Sequence, residues 1–193
     1  MLDISRKLPT RVTFEGCTYR LDLSFDRVLR VLEFYREDTD DYTKARFALA
    51  MLVRHRAPPM RLLQVIFEQF ITQQERKTGR TEMRTVDFLQ DSPYIYASFL
   101  SDYNINLIQA QGKLHWWEFL SLFQGLTESS KMREVIAIRS RPIPERTKHN
   151  AKEIQALMDA KAFYALKMSQ EESEAQFCAS LERLAGALRS RAE

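Results

Sequence analysis

Metal ligation, nucleophilic catalysis and acid–base catalysis each demand particular side chains at particular spacings, and this chain offers few of them. Its three histidines, His55, His115 and His149, are scattered, and neither Cys17 nor Cys178 lies near any of them. No single element therefore carries a zinc-ligand set. There is no glycine-rich phosphate loop and no Gly-x-Ser-x-Gly turn. Asp87 and Asp91 form a carboxylate pair of the sort that general acid–base chemistry uses. In a charged helical chain such pairs are ordinarily helix caps and solvated faces, and that is the expectation here. The residues thus point away from an enzyme, and imply no metal and no cofactor.

What stands out instead is aromatic. Residues 94–100 read Tyr-Ile-Tyr-Ala-Ser-Phe-Leu, Asp102-Tyr103 follows, and residues 114–119 read Leu-His-Trp-Trp-Glu-Phe. Phe99, Trp116, Phe119 and Phe123 are expected in the core. Adjacent helical side chains point about 100° apart, so Trp116 and Trp117 cannot both face inward. Tyr94, Tyr96, Tyr103 and Trp117 are accordingly candidates for contact with a partner, the role in which exposed Trp and Tyr are most used. His115, beside the tryptophans, reads first as a hydrogen-bonded structural histidine and is carried with them as a candidate.

The elements that must position these residues follow from periodicity. Val12, Phe14, Tyr19, Leu21 and Leu23 alternate with polar residues around Glu15-Gly16, which predicts a small β-hairpin. Ser24 is a candidate N-cap for a helix bearing Phe25, Val28, Leu29 and Leu32. The acidic run 37–41 opens a second helix with Ala45, Leu49, Leu52 and Val53 on one face, stopped by Pro58-Pro59. Pro59 suits the first position of a third helix, whose stripe is Leu62, Leu63, Ile66, Phe67, Phe70 and Ile71. A polar loop containing Gly79 spans 73–85. Ser92 then caps a helix with Pro93 at its first position and Ile95, Phe99 and Leu100 inward. Asn104, Asn106 and Gly112 mark turns, Gly125 ends the tryptophan helix, and Thr127 caps a short helix with Met132, Val135 and Ile136. Residues 139–144, Arg-Ser-Arg-Pro-Ile-Pro, read as an extended linker because each proline disfavours helix before it. Beyond it, Ile154, Leu157, Met158 and Leu166 suggest one amphipathic helix. Ser169 to Glu172 forms a capping box for another bearing Phe177, Leu181, Leu184 and Leu188.

The fold class is therefore mainly α, a helical bundle with a small N-terminal β-hairpin and a C-terminal helical hairpin or tail. Residues 1–144 form the helical core domain and 145–193 a C-terminal helical extension. With 193 residues, 45% hydrophobic, a single core needs no staples, and only 5 Gly and 6 Pro favour long helices. Net charge is +3, but residues 87–138 hold only 3 basic against 6 acidic side chains, the composition of a core or of a covered surface. Two distant cysteines fit a reducing cytoplasm. No leader and no membrane-spanning run is legible. The basic residues Arg139, Arg141, Arg146 and Lys148 lack interleaved aromatics, which reads as a solvated linker and argues against nucleic acid binding.

Residues 87–107, followed by Gly112-Lys-Leu-His-Trp-Trp-Glu-Phe119, Leu122 and Gly125-Leu126, resemble the bacteriophage gp-fifteen family. Its hallmark is Asp-x3-Asp-x2-Tyr-Ile-Tyr-Ala-x-Phe, then Asp-Tyr-x-Ile-x-Leu, then Leu-His-Trp-Trp-x-Phe. The pair Ile138-Arg139 and the hairpin-like start also fit, so the likeness covers most of residues 10–145. Asn104 and Asn106 depart from the usual glycine and aspartate, and asparagine tolerates a left-handed turn nearly as well as glycine. The resemblance implies a protein of long-tail assembly in the bacterial host's cytoplasm. Its implied partners are the tape-measure protein and the tail-tube protein, with the C-terminal helices as a surface for the tube subunit or for a homo-oligomer. The competing expectation is a structural component retained in the virion tail.

Overall fold

The computed structural model describes residues 2–72, 85–147 and 150–166. These form two compact units. Unit 1 takes in the chain to Gly79 and Ile108–Leu122, and unit 2 takes in Arg80–Leu107 and Phe123–Gln170. The expected break at 144/145 falls inside the second unit. Most of the polar loop 73–85, together with His149, Cys178 and the capping-box helix after Ser169, lies outside the described residues.

Unit 1 begins with the hairpin. Strands β1 (Arg11–Phe14) and β2 (Cys17–Arg20) pair antiparallel, with Phe14 opposite Cys17. Glu15 and Gly16 both have positive φ, 48° and 76°, as the two-residue type I′ turn requires. The next residues, Leu21 to Phe25, are held on both sides. Asp22 N donates to the Leu52 carbonyl at 2.8 Å and Arg54 N to that of Arg20 at 2.8 Å. On the other side Phe25 N donates to Leu114 O at 3.0 Å and Trp116 N to Leu23 O at 2.8 Å. Helix α1 (Phe25–Phe34) buries Phe25, Val28 and Val31. Helix α2 (Asp41–Leu52) buries Ala45, Ala48, Leu49 and Leu52, and its N-cap Asp40 accepts from Thr43 N. It ends at Leu52, six residues before Pro58, because Val53 turns extended to bridge Leu21.

Helix α3 (Leu62–Ile66) starts at Leu62 rather than Pro59, and the predicted stripe Leu62 to Ile71 is buried throughout. From Phe67 to Ile71 the same stretch widens into a π-helical turn, a geometry that leaves no sequence signature.

In unit 2, helix α4 (Ser92–Tyr103) is preceded by Asp91 at the N-cap position, so Ser92 is its first residue and not its cap. Ile95 and Phe99 are buried, whereas Leu100 is exposed. Phe99 and Leu100 are consecutive and diverge by about 100°, so only one can enter the core. Asn104 closes the helix in the left-handed conformation at φ 53°. Helix α5 (Trp116–Gln124), which belongs to unit 1 as far as Leu122, carries the tryptophans. Helix α6 (Lys131–Ser140) is capped by Ser130, not Thr127. The Ser130 hydroxyl accepts from Arg133 N, while Thr127 donates its N–H and its hydroxyl to Asp102 at 2.8 and 3.0 Å. Helix α6 also runs two residues into the segment expected to be linker. Helix α7 (Ala151–Phe163) is present, but none of its residues is buried.

Replacing Asn104 by Ala is expected to cost about 1 kcal/mol, since a Cβ-bearing residue without asparagine's local hydrogen bonding pays the left-handed penalty. Asn104→Gly is expected to leave the urea midpoint within experimental error or above it.

Candidate interaction site

The motif residues divide between the two units, so each set is described where it lies. In unit 1 the run Leu114 to Phe119 is the start of a helix. His115 occupies the N-cap position: its carbonyl accepts from Phe119 N at 3.0 Å, and its Nδ1 accepts from Trp117 N at 3.1 Å. Glu118 returns the bond, accepting from His115 N at 3.1 Å. This is a capping box with histidine in the serine role. Because Nδ1 accepts, the ring proton sits on Nε2, which faces the Pro9 carbonyl at 3.3 Å. Burial pushes the His115 pKa below its ordinary value, against the pull of the Pro9 carbonyl and the Glu118 carboxylate.

Trp116 and Phe119 are buried and stack on each other, with Phe25 stacked on Phe119. Trp117 is half-buried. Its indole N–H donates to the Phe70 carbonyl at 2.7 Å, within the π-helical turn, and its ring lies 6.2 Å from that of Phe70. Trp117 therefore satisfies a carbonyl near a helix end, where intrahelical donors run out. Nearby, Asp22 links Arg27 and Arg54 at 3.1 and 2.8 Å. Burial alone would raise its pKa, but the Arg54 hydrogen bonds and the two arginine charges hold it below the ordinary carboxylate range.

In unit 2 the carboxylates are not solvated. Asp91 is fully buried and Asp87 nearly so. Asp91 meets Arg139 in a two-pronged pair, with both N–O distances 2.7 Å. The second oxygen that Arg139 grips also accepts from Asp87 N at 2.8 Å. Asp87 in turn caps the turn behind it, accepting from Leu89 N and Gln90 N at 2.9 and 3.0 Å. Arg139 completes its bonds with the Thr85 carbonyl at 2.8 Å and the Tyr164 carbonyl at 2.6 Å. Capping was legible for Asp87. Its burial, and that of Asp91, was not, because the cation lies 48 residues on.

The candidate tyrosines are half-buried on α4. Tyr94 meets Tyr164 edge-on at 5.7 Å, and Tyr103 meets Phe99 at 5.8 Å. Tyr103 has its pKa raised by burial first and by Asp102 second. Tyr96 is half-buried on the same helix. Phe123, expected in the core, is also only half-buried and meets Phe88 edge-on at 5.2 Å. Unit 1 holds a groove that the sequence did not reveal, about 530 Å³ and lined by Arg30, Glu33, Phe34, Glu37, Thr39 and Phe47. Its floor is the stacked pair Phe34–Phe47, 4.1 Å apart.

A family model described as bacteriophage Gp15 protein matches residues 4–166. The chain belongs to this bacteriophage family. No curated protein and no solved structure matches it. The family's aromatic motif thus has a physical reading in this member. Its histidine, second tryptophan and glutamate build a helix start, and its second aspartate forms a buried ion pair with Arg139, supported by the N–H of the first. Among the described residues no group of His, Cys, Asp and Glu is placed to hold a metal ion. No helix among them is long and apolar enough to cross a membrane.

Two expectations follow. Arg139→Leu strands a buried carboxylate and is expected to cost about 3–5 kcal/mol in chemical denaturation. The double variant Asp91→Leu, Arg139→Leu should recover much of that loss, since the uncompensated charge is gone. For His115, a folded pKa below the unfolded value of about 6.5 means the unfolded chain binds the proton first. Its contribution to stability is therefore present above about pH 6.5 and is lost as pH falls through the folded value. Asn can cap without titrating, so His115→Asn should flatten the stability–pH slope between about pH 6.5 and 5 relative to the parent.

Proposed function

We propose that this chain is a tail-assembly chaperone of a long-tailed phage, binding the tape-measure protein, the tail-tube protein or both before the tail is complete. The phage setting is supported by family membership. The binding role is carried by one observation: of the apolar residues of α7, Ile154 and Leu157 are only half-buried, and Met158 and Phe163 are 47% and 76% exposed. A helix of this composition ordinarily hides an apolar stripe. The aromatic-floored groove between α1 and α2 is a second surface of the same character. A helical client with unenclosed apolar faces is recognised by such grooves and helix faces, and no reactive side chain is needed.

The test is co-expression with the tape-measure protein of the same phage. The expected result is that the tape-measure protein moves into the soluble fraction and co-purifies with this chain. A tape-measure protein that stays insoluble and fails to co-purify overturns the reading. Mass spectrometry of purified virions separates a chaperone, expected to be absent, from a structural tail component, expected at stoichiometric level. The double variant Met158→Ser, Phe163→Ser is expected to lower co-purified client several-fold. Its own stability should stay within about 0.5 kcal/mol of the parent, as is usual for exposed positions.

A further inference from the structure

Helix α7 is attached to its unit in an unusual way. It follows the segment 141–147, which has no helix or strand and contains Pro142 and Pro144. Near its N-terminal end the Arg141–Glu153 pair is long, 3.6 Å, and exposed on both sides. Its hold is concentrated at the other end, on Tyr164. The Tyr164 hydroxyl accepts from Lys131 Nζ at 3.0 Å, and the same ammonium lies 5.3 Å from the ring centroid. The Tyr164 ring meets Tyr94, and its carbonyl accepts from Arg139 Nε. Beside it the Ala165 carbonyl accepts from Gln90 at 2.8 Å, and Lys161 donates to the Arg139 carbonyl at 2.6 Å.

The deeper contacts of Arg139, to Asp91 and Thr85, do not involve α7. The seat would thus persist with α7 removed. A 13-residue helix with no fully buried residue, only Ile154, Leu157, Ala160 and Lys161 being half-buried, has little stability of its own, and such elements lie at the low-stability end of a fold.

We propose that α7 is a releasable strap, and that the seat it leaves on Tyr94, Lys131, Arg139 and Gln90 is an exchangeable docking site for the α7 of a second copy of this chain. The seat holds the Tyr164 ring, hydroxyl and carbonyl together with the Ala165 carbonyl, and the α7 of a second copy presents the same groups in the same order. Residues 141–147 let the strap leave without disturbing α6. In the intact chain the tethered strap competes at an effective concentration in the millimolar range, so exchange is suppressed until the Tyr164 latch is loosened.

The test uses the full chain and a labelled synthetic peptide spanning residues 150–166. Tyr164→Ala is expected to raise amide exchange across 151–163 while leaving α4 and α6 protected. It should also tighten peptide binding at least tenfold over the parent, as the competent fraction of seats rises. Tyr164→Phe, which keeps the ring on Tyr94 but drops the hydroxyl, should fall between them. Adding Lys131→Ala to Tyr164→Ala should abolish the gain. Equal peptide binding by parent and variant, no binding to either, or loss of protection in α4 and α6 equal to that in α7 would each overturn the proposal.

Discussion

A fully buried carboxylate, Asp91, has to be answered by a cation, and the second unit is arranged so that Arg139 answers it. Withdrawing either charge from water costs several kcal/mol, which only close geometry and additional hydrogen bonds return. Both conditions are met, since the forked guanidinium matches both carboxylate oxygens and its remaining N–H groups reach main-chain carbonyls. The start of α4, the end of α6 and the turn at 87–90 must therefore stay in mutual register. Packing of Phe99, Met132 and Val135 gives the unit its stability, while the ion pair fixes which face of α6 meets α4. Ser98 adds a second registration, its hydroxyl accepting from Met132 N at 2.9 Å.

The same accounting runs through the aromatic motif. Nearly all of its polar atoms have internal work. His115 caps a helix, Glu118 reciprocates, and Trp117 satisfies a carbonyl of the π-helical turn. In this chain the motif builds the fold. The surfaces proposed for partners are elsewhere, on the poorly buried α7 and over the Phe34–Phe47 pair.

Much of the architecture was legible in the residues. Alternation about Glu15-Gly16 found the hairpin, and periodicity found the buried stripes of α1, α2 and α3, because both signals are local. Asn104 was legible for the same reason: few residues other than Gly close a helix left-handed. What escaped was long-range or ambiguous. Arg139 sits beside a proline-rich stretch and looked solvated, since its partner lies in another helix. Thr127 and Ser130 are both good caps, and only the bonds that Thr127 donates to the Asp102 carboxylate decide between them. Histidine as a helix cap has no strong sequence signal, and the exposure of Leu100 rather than Phe99 depends on the neighbour each meets.

The stretch Leu21 to Phe25 is hydrogen-bonded along both of its edges, to 52–54 on one side and to 114–116 on the other. Leu21, Leu23 and Phe25 go into the core, while Asp22 turns to Arg27 and Arg54. Adding or deleting a single residue there would invert every side chain and break two ladders at once. These five positions act as a fixed ruler against which the hairpin, α2 and the tryptophan helix are aligned.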